Sequence, residues 1–261
     1  MPASLYRERV RAELIDDLGH PVPLPRPPRR VVSLVPSLTE TVTATAPGLL
    51  VGATDWCPVP DGLTVTRVRG PKNPDLAAVR ALGPDLVIAS QEENRRLDVE
   101  RLRQAQVPVW VVRVDALDQA FTSLERLLGQ ALGLGCPAWL EQARREWSRP
   151  APEGGRVAVP VWRDPWLWAG AGTFADDLLG RLGWQNVAAD LGERYPRAEP
   201  DQVAALGPDL LLLPDEPYRF TPDDLAGVRV PGCCVAGRWL FWYGPALAES
   251  RSALLRAVES M

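Results

Sequence analysis

Short apolar runs alternate with helical patterns along most of the chain. Continuous hydrophobic runs between turns predict strands, and the first half contains four of them: RRVVSLVP, LLVGAT, DLVIAS and VPVWVV. The segment 94–106 (NRRLDVERLRQAQ) instead carries its apolar residues at helical spacing. Because strands that alternate with helices pair in parallel, the pattern predicts an α/β fold with a mainly parallel sheet.

The second half repeats this organisation. Its predicted strands are RVAVPVW, PDLLLL and GCCVA, and its predicted helices lie near 174–182, near 202–206 and after Pro245. The hexapeptide ALGPDL occurs at 81–86 and again at 205–210, each time between a short helix and an apolar strand. A repeat at a domain-sized interval predicts two related lobes rather than a solenoid.

Residues between the halves are helical in pattern, which places a connector between the lobes. The predicted boundaries are an N-terminal extension (1–29), an N-terminal α/β lobe (30–115), a helical interlobe connector (116–155) and a C-terminal α/β lobe (156–261). After the first strand of the N-terminal lobe, SLTE predicts a capping box with Ser37 as N-cap and Glu40 at N3.

Composition excludes several classes of protein. The 261 residues are 46% hydrophobic and 24% charged with a net charge of −4, which excludes disorder and makes nucleic acid an unexpected partner. The four cysteines show no CxxC spacing and are interpreted as reduced thiols. Neither a signal-peptide stretch between Met1 and Arg30 nor an apolar run of membrane-spanning length is visible, so a cytoplasmic location is predicted.

Tryptophan is unusually common, with ten residues against four each of Phe and Tyr. Several follow predicted strands directly, where open α/β sheets bind their ligands. We therefore predict an aromatic ligand site. Its candidate residues are Pro36, Ser37, Trp56, Glu92, Asn94, Trp162, Arg163, Trp166, Trp168, Trp239, Trp242 and Tyr243. The remaining tryptophans that fall within helix or strand patterns are assigned to packing: Trp110, Trp139, Trp147 and Trp184.

Signals for catalysis are weak. His20 is the single histidine, and no GxSxG elbow, Walker loop or GxGxxG follows a strand. We predict no catalytic residue, no protein metal site and no cofactor. The alternative, an enzyme that uses loop carboxylates, rests on Glu92, Glu93, Asp164, Asp215 and Glu216.

The chain resembles the cobalamin and iron-siderophore binding proteins of ABC importers, also called helical-backbone metal receptors. The similarity covers residues 14 to the C-terminus and rests on RRVVSLVPSLTET, GATDWCPVP, KNPDLAAVRALGPDLVIAS, WRDPW, GTFADDLLGRLGWQNV and WYGP. It implies two Rossmann-like lobes that are joined by a backbone helix, as in periplasmic binding proteins with a helical hinge. It also implies a flat macrocycle or metal chelate as the ligand between them.

The resemblance further implies an importer partner that docks on one glutamate of each lobe. The matching positions are Ala77 and Asp201, so one charge is missing unless Asp75 substitutes, and Asp75 and Asp201 are the docking candidates. The resulting hypothesis is a non-catalytic, cytoplasmic protein that holds a cobalamin-like corrinoid or a metal chelate, with no membrane insertion. Two alternatives stay open: an enzyme of corrinoid or tetrapyrrole metabolism, and a protein-interaction module that uses an aromatic patch.

Overall fold

The computed structural model describes residues 14–151, 153–225 and 227–260. Thirteen residues of the predicted N-terminal extension, 1–13, lie outside this part. The elements before the connector are β1 (Leu14–Ile15), β2 (Pro21–Val22), β3 (Val31–Ser33), α1 (Pro36–Thr45), β4 (Leu50–Ala53), β5 (Thr66–Arg67), β6 (Arg69–Gly70), β7 (Asn73–Pro74), α2 (Leu76–Ala81), β8 (Leu86–Ser90), α3 (Arg96–Gln104) and β9 (Val109–Val112).

The connector is followed by the second set of strands and helices. The connector comprises α4 (Leu117–Glu125), a π-helical segment (Arg126–Ala131) and α5 (Ala138–Trp147). The remaining elements are β10 (Arg156–Ala158), β11 (Pro160–Trp162), β12 (Leu167–Trp168), α6 (Phe174–Arg181), β13 (Gln185–Asn186), α7 (Pro200–Ala204), β14 (Leu210–Pro214), β15 (Gly232–Val235), α8 (Arg238–Phe241) and α9 (Leu247–Glu259). Short 3₁₀ segments cover Pro47–Leu49, Val187–Leu191 and Pro222–Leu225.

Two separate parallel sheets form the two lobes. The first lobe is built on a five-stranded sheet of order β5-β4-β3-β8-β9, and the second on a four-stranded sheet of order β13-β10-β14-β15. Strand order reverses beside β3 in one sheet and beside β10 in the other, as in doubly wound folds. The predicted α/β class is confirmed, while the exact lobe boundaries stay predictions.

The duplicated ALGPDL forms the same local structure in both lobes. Its aspartate accepts the main-chain N–H at the start of the first strand: Asp85 from Arg30 (3.0 Å), and Asp209 from Arg156 (2.8 Å). The arginine of each pair donates back to the carbonyl groups that end the preceding helix, Leu82 O and Leu206 O. The repeat therefore holds each αβ unit to the central strand of its own sheet.

The connector binds the two lobes through tryptophans on one helix. At the start of α5, Trp139 donates its indole N–H to Thr45 Oγ1 of α1 (3.1 Å). At its end, Trp147 donates to Leu247 O of α9 (3.0 Å). The largest hydrophobic cluster is continuous through this region and contains residues of both sheets. The structure thus has two helices, α4 and α5, where the resemblance implied one long helix.

The predicted capping box at α1 is wrong. The helix begins two residues earlier than predicted, with Pro36 at its first position and Val35, not Ser37, as an N-cap without a side-chain hydrogen bond. Ser37 is buried inside the first turn, and Glu40 points to the second lobe instead of to its own N-terminus. The long-range ion pair of Glu40, described below, replaces the local capping contact.

Candidate functional site

A cavity of about 310 Å³ lies between the two lobes, at the carboxyl ends of their strands. This volume is near the lower limit of small-molecule sites. Residues after β4 supply one side of the cavity, and residues after β14 and β15 supply the other. The lining residues are Trp56, Cys57, Pro58, Asp215, Glu216, Ala236, Arg238 and Trp242.

Trp56 presents its ring on a well-anchored loop. The side chain is 76% exposed. The loop beneath it is held by Arg67, which donates to Thr54 O (2.7 Å) and Cys57 O (2.8 Å), while the Thr54 hydroxyl and the Cys57 thiol form a further contact at 3.0 Å. Burial raises the pKa of the Cys57 thiol, which keeps it protonated. The Trp56 ring therefore lines the cavity from a loop whose main chain is held by hydrogen bonds.

On the second lobe, Trp242 is positioned by Arg238. The guanidinium of Arg238 lies 5.6 Å from the centre of the Trp242 ring, within cation–π range. The same guanidinium forms an ion pair with Glu40 of the first lobe and lies 3.7 Å from Glu249. Arg238 therefore both positions Trp242 at the cavity and connects the second lobe to the first.

Gly237 fixes the acidic side of the cavity. Its N–H donates to Asp215 Oδ1 (2.7 Å), and a Cβ at this position would lie 2.5 Å from Glu216 Cγ. Only glycine allows this close approach. As a result Asp215 and Glu216, the two residues that directly follow β14, are both held at the cavity.

Burial changes the protonation of the acids near the cavity. It raises the pKa of Glu216 to about 7, with the charge of Asp215 acting in the same direction and Arg238 opposing it. Glu93, on the first lobe, has its pKa raised to about 8 by burial; Lys72 opposes this, and Glu216 adds to it. Burial also raises the pKa of Glu40 despite its partner Arg238. Burial therefore raises the pKa of one acid that lines the cavity, Glu216, and of two acids near it, Glu93 and Glu40.

Ser37 and Tyr243 meet in the interior beside these acids. Both are buried, and neither the Ser37 hydroxyl nor the Tyr243 hydroxyl has a hydrogen-bond partner among the described residues. Burial, and next the nearby Glu93, raise the pKa of Tyr243, so its phenol stays protonated. Neither side chain lines the cavity, so the structure places them below the site and not on its surface.

The structure places Trp166 and Trp168 in the core, which corrects their assignment to the ligand site. The predicted strand RVAVPVW is split, and β11 turns back to pair with β12 as an antiparallel hairpin. Trp168 is fully buried, its indole N–H donates to Ala198 O (2.9 Å), and Trp166 stacks on it at 5.9 Å. Both rings belong to the hydrophobic cluster of the second sheet.

Three further candidates of the second lobe lie away from the cavity lining. Trp162 is 43% exposed and packs edge-on against Tyr218, with ring centres 5.7 Å apart. Arg163 is held by an ion pair with Asp224. Trp239 is half-buried, with a 3.4 Å contact from its indole N–H to Glu249.

The polar candidates of the first lobe serve structural contacts. Asn94 is buried; its amide donates to Leu34 O (3.3 Å) and Pro71 O (3.0 Å), and its carbonyl accepts from Ser90 N (2.8 Å). Because every polar atom of Asn94 is satisfied by main chain, the structure corrects its assignment as a ligand contact. Glu92 forms an ion pair with Arg194 of the second lobe (3.1 Å). Pro36 occupies the first turn of α1.

The docking candidates occupy neighbouring positions at the starts of two related helices. Asp75 is the N-cap of α2 and accepts from Ala78 N (3.0 Å). Asp201 lies in the first turn of α7, whose N-cap is Glu199. The residue that corresponds to Asp75 is therefore Glu199, and the one that corresponds to Asp201 is Ala77.

Sequence reasoning missed several residues of the cavity. Asp215 and Glu216 were weighed only as catalytic acids, although their position directly after a strand marked them as site residues. Arg238 also follows a predicted strand, GCCVA, but it was not chosen as a ligand residue; Pro58 was not singled out at all. Of the predicted ligand residues, only Trp56 and Trp242 line the cavity.

No protein-family model matches the chain. It is 24% identical to the vitamin B12-binding protein of Pectobacterium carotovorum subsp. carotovorum (strain PC1) over 241 residues, 84% of each chain. It is 26% identical to the uncharacterized ABC transporter substrate-binding lipoprotein YvrC of Bacillus subtilis (strain 168), over 77% of this chain and 68% of that one. The chain is thus similar in sequence to substrate-binding proteins of ABC importers. The resemblance inferred from its sequence motifs is confirmed.

A solved structure supports the same conclusion about the fold. The apo form of the periplasmic heme-binding protein RhuT from Roseiflexus sp. RS-1 superposes with a TM-score of 0.74 and 22% identity, over 89% of this chain and 98% of that one. The periplasmic-binding-protein type of fold, expected from the resemblance, is therefore confirmed.

The relatives correct the predicted cytoplasmic location. They include a periplasmic protein and a lipoprotein of ABC transport, which points to an extracytoplasmic location. The prediction relied on the pattern of residues 1–30, of which 1–13 lie outside the described structure. Within the described ranges, no helix combines the length and the apolar character needed to cross a membrane.

Proposed function

We propose that this protein is the non-catalytic substrate-binding component of an ABC importer. Its ligand is a planar, metal-containing macrocycle such as a corrinoid or haem, or a related iron chelate. The observation that carries the proposal is the cavity between the lobes, which takes Trp56 from one sheet and Trp242 from the other. The names of the relatives, which bind vitamin B12 or haem, support the same class of ligand.

The two tryptophans suit a flat ligand for physical reasons. An indole ring that stacks on a conjugated macrocycle contributes about 0.5–1.5 kcal/mol beyond the burial of apolar area. The main chain beside Trp56 is anchored by Arg67, and the Trp242 ring contacts Arg238, which reduces the ordering that binding requires. Two indole rings, one from each lobe, are thus available to a flat ligand in the same cavity.

The ligand brings its own metal and chelating atoms, so binding requires no protein metal ligand. Within the described residues, no group of three or more His, Cys, Asp or Glu side chains is arranged to hold a metal ion. The cavity acids also lack the arrangement of a nucleophile with an adjacent base. Asp215 accepts a main-chain hydrogen bond from Gly237, and Cys57 is a protonated thiol. We therefore propose binding without catalysis.

The proposal is tested by titrating cyanocobalamin and haemin against tryptophan fluorescence. Saturable quenching is expected with at least one of them. Trp56→Ala should weaken that binding by about tenfold, because one stacking partner and its buried area are lost. Trp162→Ala is the matched control, since that ring is also exposed but does not line the cavity.

Two results would contradict the proposal. One is the absence of saturable quenching by either compound at high micromolar concentration. The other is an equal loss of affinity in Trp56→Ala and Trp162→Ala, which would place the ligand elsewhere. Circular dichroism of both variants establishes that each is folded.

A further inference from the structure

The sheet of the first lobe ends at strand β9, which has a partner strand on one side. Among the described strands, only β8 pairs with β9 in this sheet. Main-chain N–H groups of β8 and of the residue after it bind the carbonyl groups of Pro108 and Val112. The alternate residues, Val111 and Arg113, therefore turn their main-chain groups away from β8. Such outward groups at an open sheet edge are a template for pairing with another chain.

The hairpin of β1 and β2 covers this edge with two aspartates in its turn. The Asp17 N–H donates to Val111 O (3.1 Å), as a neighbouring strand would. The return bonds go to side chains instead: Val111 N donates to Asp16 Oδ2 (3.3 Å), and Arg113 N donates to Asp17 Oδ2 (3.2 Å). The hairpin thus satisfies the outward groups without becoming a strand of the sheet.

Both carboxylates are fixed at this position by further contacts. The side chain of Asp16 is fully buried, and it also accepts from the main-chain N–H groups of Leu18 (3.0 Å) and His20 (2.9 Å) and pairs with Arg103 of α3. A charge this buried is stable only when it is paired and hydrogen-bonded. The turn of the hairpin is therefore built around the Asp16 carboxylate.

Asp17 fastens the hairpin to the connector. Its side chain is 9% exposed, accepts from the Ser123 hydroxyl and forms an ion pair with Arg126. Arg126 also donates to the main-chain carbonyl of Ile15 in β1. The hairpin is thus held by charged side chains of α3 and of the connector, and its two aspartates are the residues that reach the edge of β9.

The covered strand has the composition of a segment that pairs with itself. β9 (Val109–Val112, VWVV) is uncharged, and all four of its residues are buried. Valine and tryptophan favour strands, and uncharged apolar segments of this kind pair readily with identical copies where an edge is open. Two copies related by a twofold axis present the same edge to each other. A second copy of this chain is therefore the partner that an uncovered β9 fits.

We propose that the β1–β2 hairpin is an edge cap, and that its Asp16 and Asp17 carboxylates prevent β9 from pairing with the β9 strand of a second copy. The carboxylates occupy the two outward N–H groups that a partner strand requires. Removal of the carboxylates frees these groups and opens the edge to a symmetric, antiparallel dimer. The cap acts independently of any ligand in the cavity between the lobes.

The test is the double variant Asp16→Ala, Asp17→Ala, studied by light scattering and by hydrogen exchange. From low to high micromolar concentration its mass should rise from one chain to two, while the wild type stays at one chain. At low concentration the amides of Val111 and Arg113 should exchange at least about tenfold faster than in the wild type, because their acceptors are lost. At high concentration these amides should become protected again, since the partner strand covers them.

Asp85→Ala is the matched control. The Asp85 carboxylate also accepts from two main-chain N–H groups, those of Arg29 (2.8 Å) and Arg30 (3.0 Å), but these precede β3 in the middle of the sheet. Its loss should lower stability without opening an edge, so this variant should stay at one chain. Circular dichroism establishes that each variant is folded.

Asp17→Asn takes the place of the double variant if the latter does not fold, because it keeps every contact of Asp16. Its Arg113 amide should exchange faster than in the wild type, and its mass should rise with concentration. Three results would overturn the edge cap. They are a folded capping variant that stays at one chain, unchanged exchange at the freed amides, and equal association of Asp85→Ala, which would assign the association to lost stability.

Discussion

Tryptophans that are close together in the sequence have different environments in this protein. Trp162 and Trp168 both follow the first strand of the second lobe, yet 43% of the first side chain and none of the second is exposed. The difference arises from the β11–β12 hairpin, which turns Trp168 back under the sheet. Position after a predicted strand correctly indicated that Trp56 lines the cavity, but it wrongly indicated the same for Trp168. The position of a residue after a strand does not show whether the following segment stays at the cavity or folds back into the core.

The burial of Trp168 predicts a large effect on stability. Trp168→Ala should lower the free energy of unfolding by about 3–5 kcal/mol, since it opens a core cavity and leaves Ala198 O without its indole donor. Trp162→Ala should lower it by less than about 1 kcal/mol, as expected for a half-exposed ring. Urea denaturation followed by circular dichroism measures both values. Similar losses in the two variants would contradict the assignment of Trp168 to the core.

At the scale of the elements, the repeated αβ unit explains why one hexapeptide occurs twice. Each copy turns sharply between helix and strand at a glycine with positive φ, Gly83 (+54°) and Gly207 (+72°). The following Asp85 or Asp209 then holds the first strand of its sheet. Local sequence was sufficient here, because the turn and the hydrogen bonds depend on a short motif.

These turns give a second prediction. Gly83→Ala and Gly207→Ala should each lower the free energy of unfolding by about 1–2 kcal/mol, because a Cβ strains a left-handed backbone even where space is free. Gly48→Ala is the control, since that glycine also has open space around it but no positive φ. Thermal or urea unfolding checks the three variants. A cost for Gly48→Ala as large as for the other two would contradict backbone strain as the cause.

At the scale of the whole molecule, contacts between the lobes also build the site. Arg238 joins Glu40 across the lobes and holds Trp242 at the cavity, and the tight approach of Gly244 to Ser37 O keeps α1 against the second lobe. Residues nearly two hundred positions apart thus share one ion pair. The geometry of the cavity therefore depends on how the lobes are joined.

The ion pair predicts a measurable coupling between the lobes. A double-mutant cycle of Glu40→Gln and Arg238→Gln should give a coupling energy of about 0.5–3 kcal/mol in urea unfolding, because both partners are partly withdrawn from solvent. The same cycle for the exposed pair Arg96–Glu100 within α3 is the control and should give about 0.3–0.5 kcal/mol. No coupling between Glu40 and Arg238 would contradict a stabilising role for the pair.

The sequence by itself determined the α/β class, the two related lobes and the placement of Trp56 after a strand. Hydrophobic periodicity and turn residues encode these features locally, within a few neighbouring residues. It also supported the resemblance to importer binding proteins, which the relatives confirm.

Tertiary structure decided which of the candidate side chains form the site. Trp168 and Asn94 are buried and do not line the cavity. Glu40 pairs with Arg238 instead of forming the predicted capping box, and Glu216 lines the cavity. Each of these outcomes depends on a hairpin, a close glycine contact or an ion pair between residues far apart in the chain. Local patterns carry no information about such contacts, because the partners meet only after both lobes have folded and packed together.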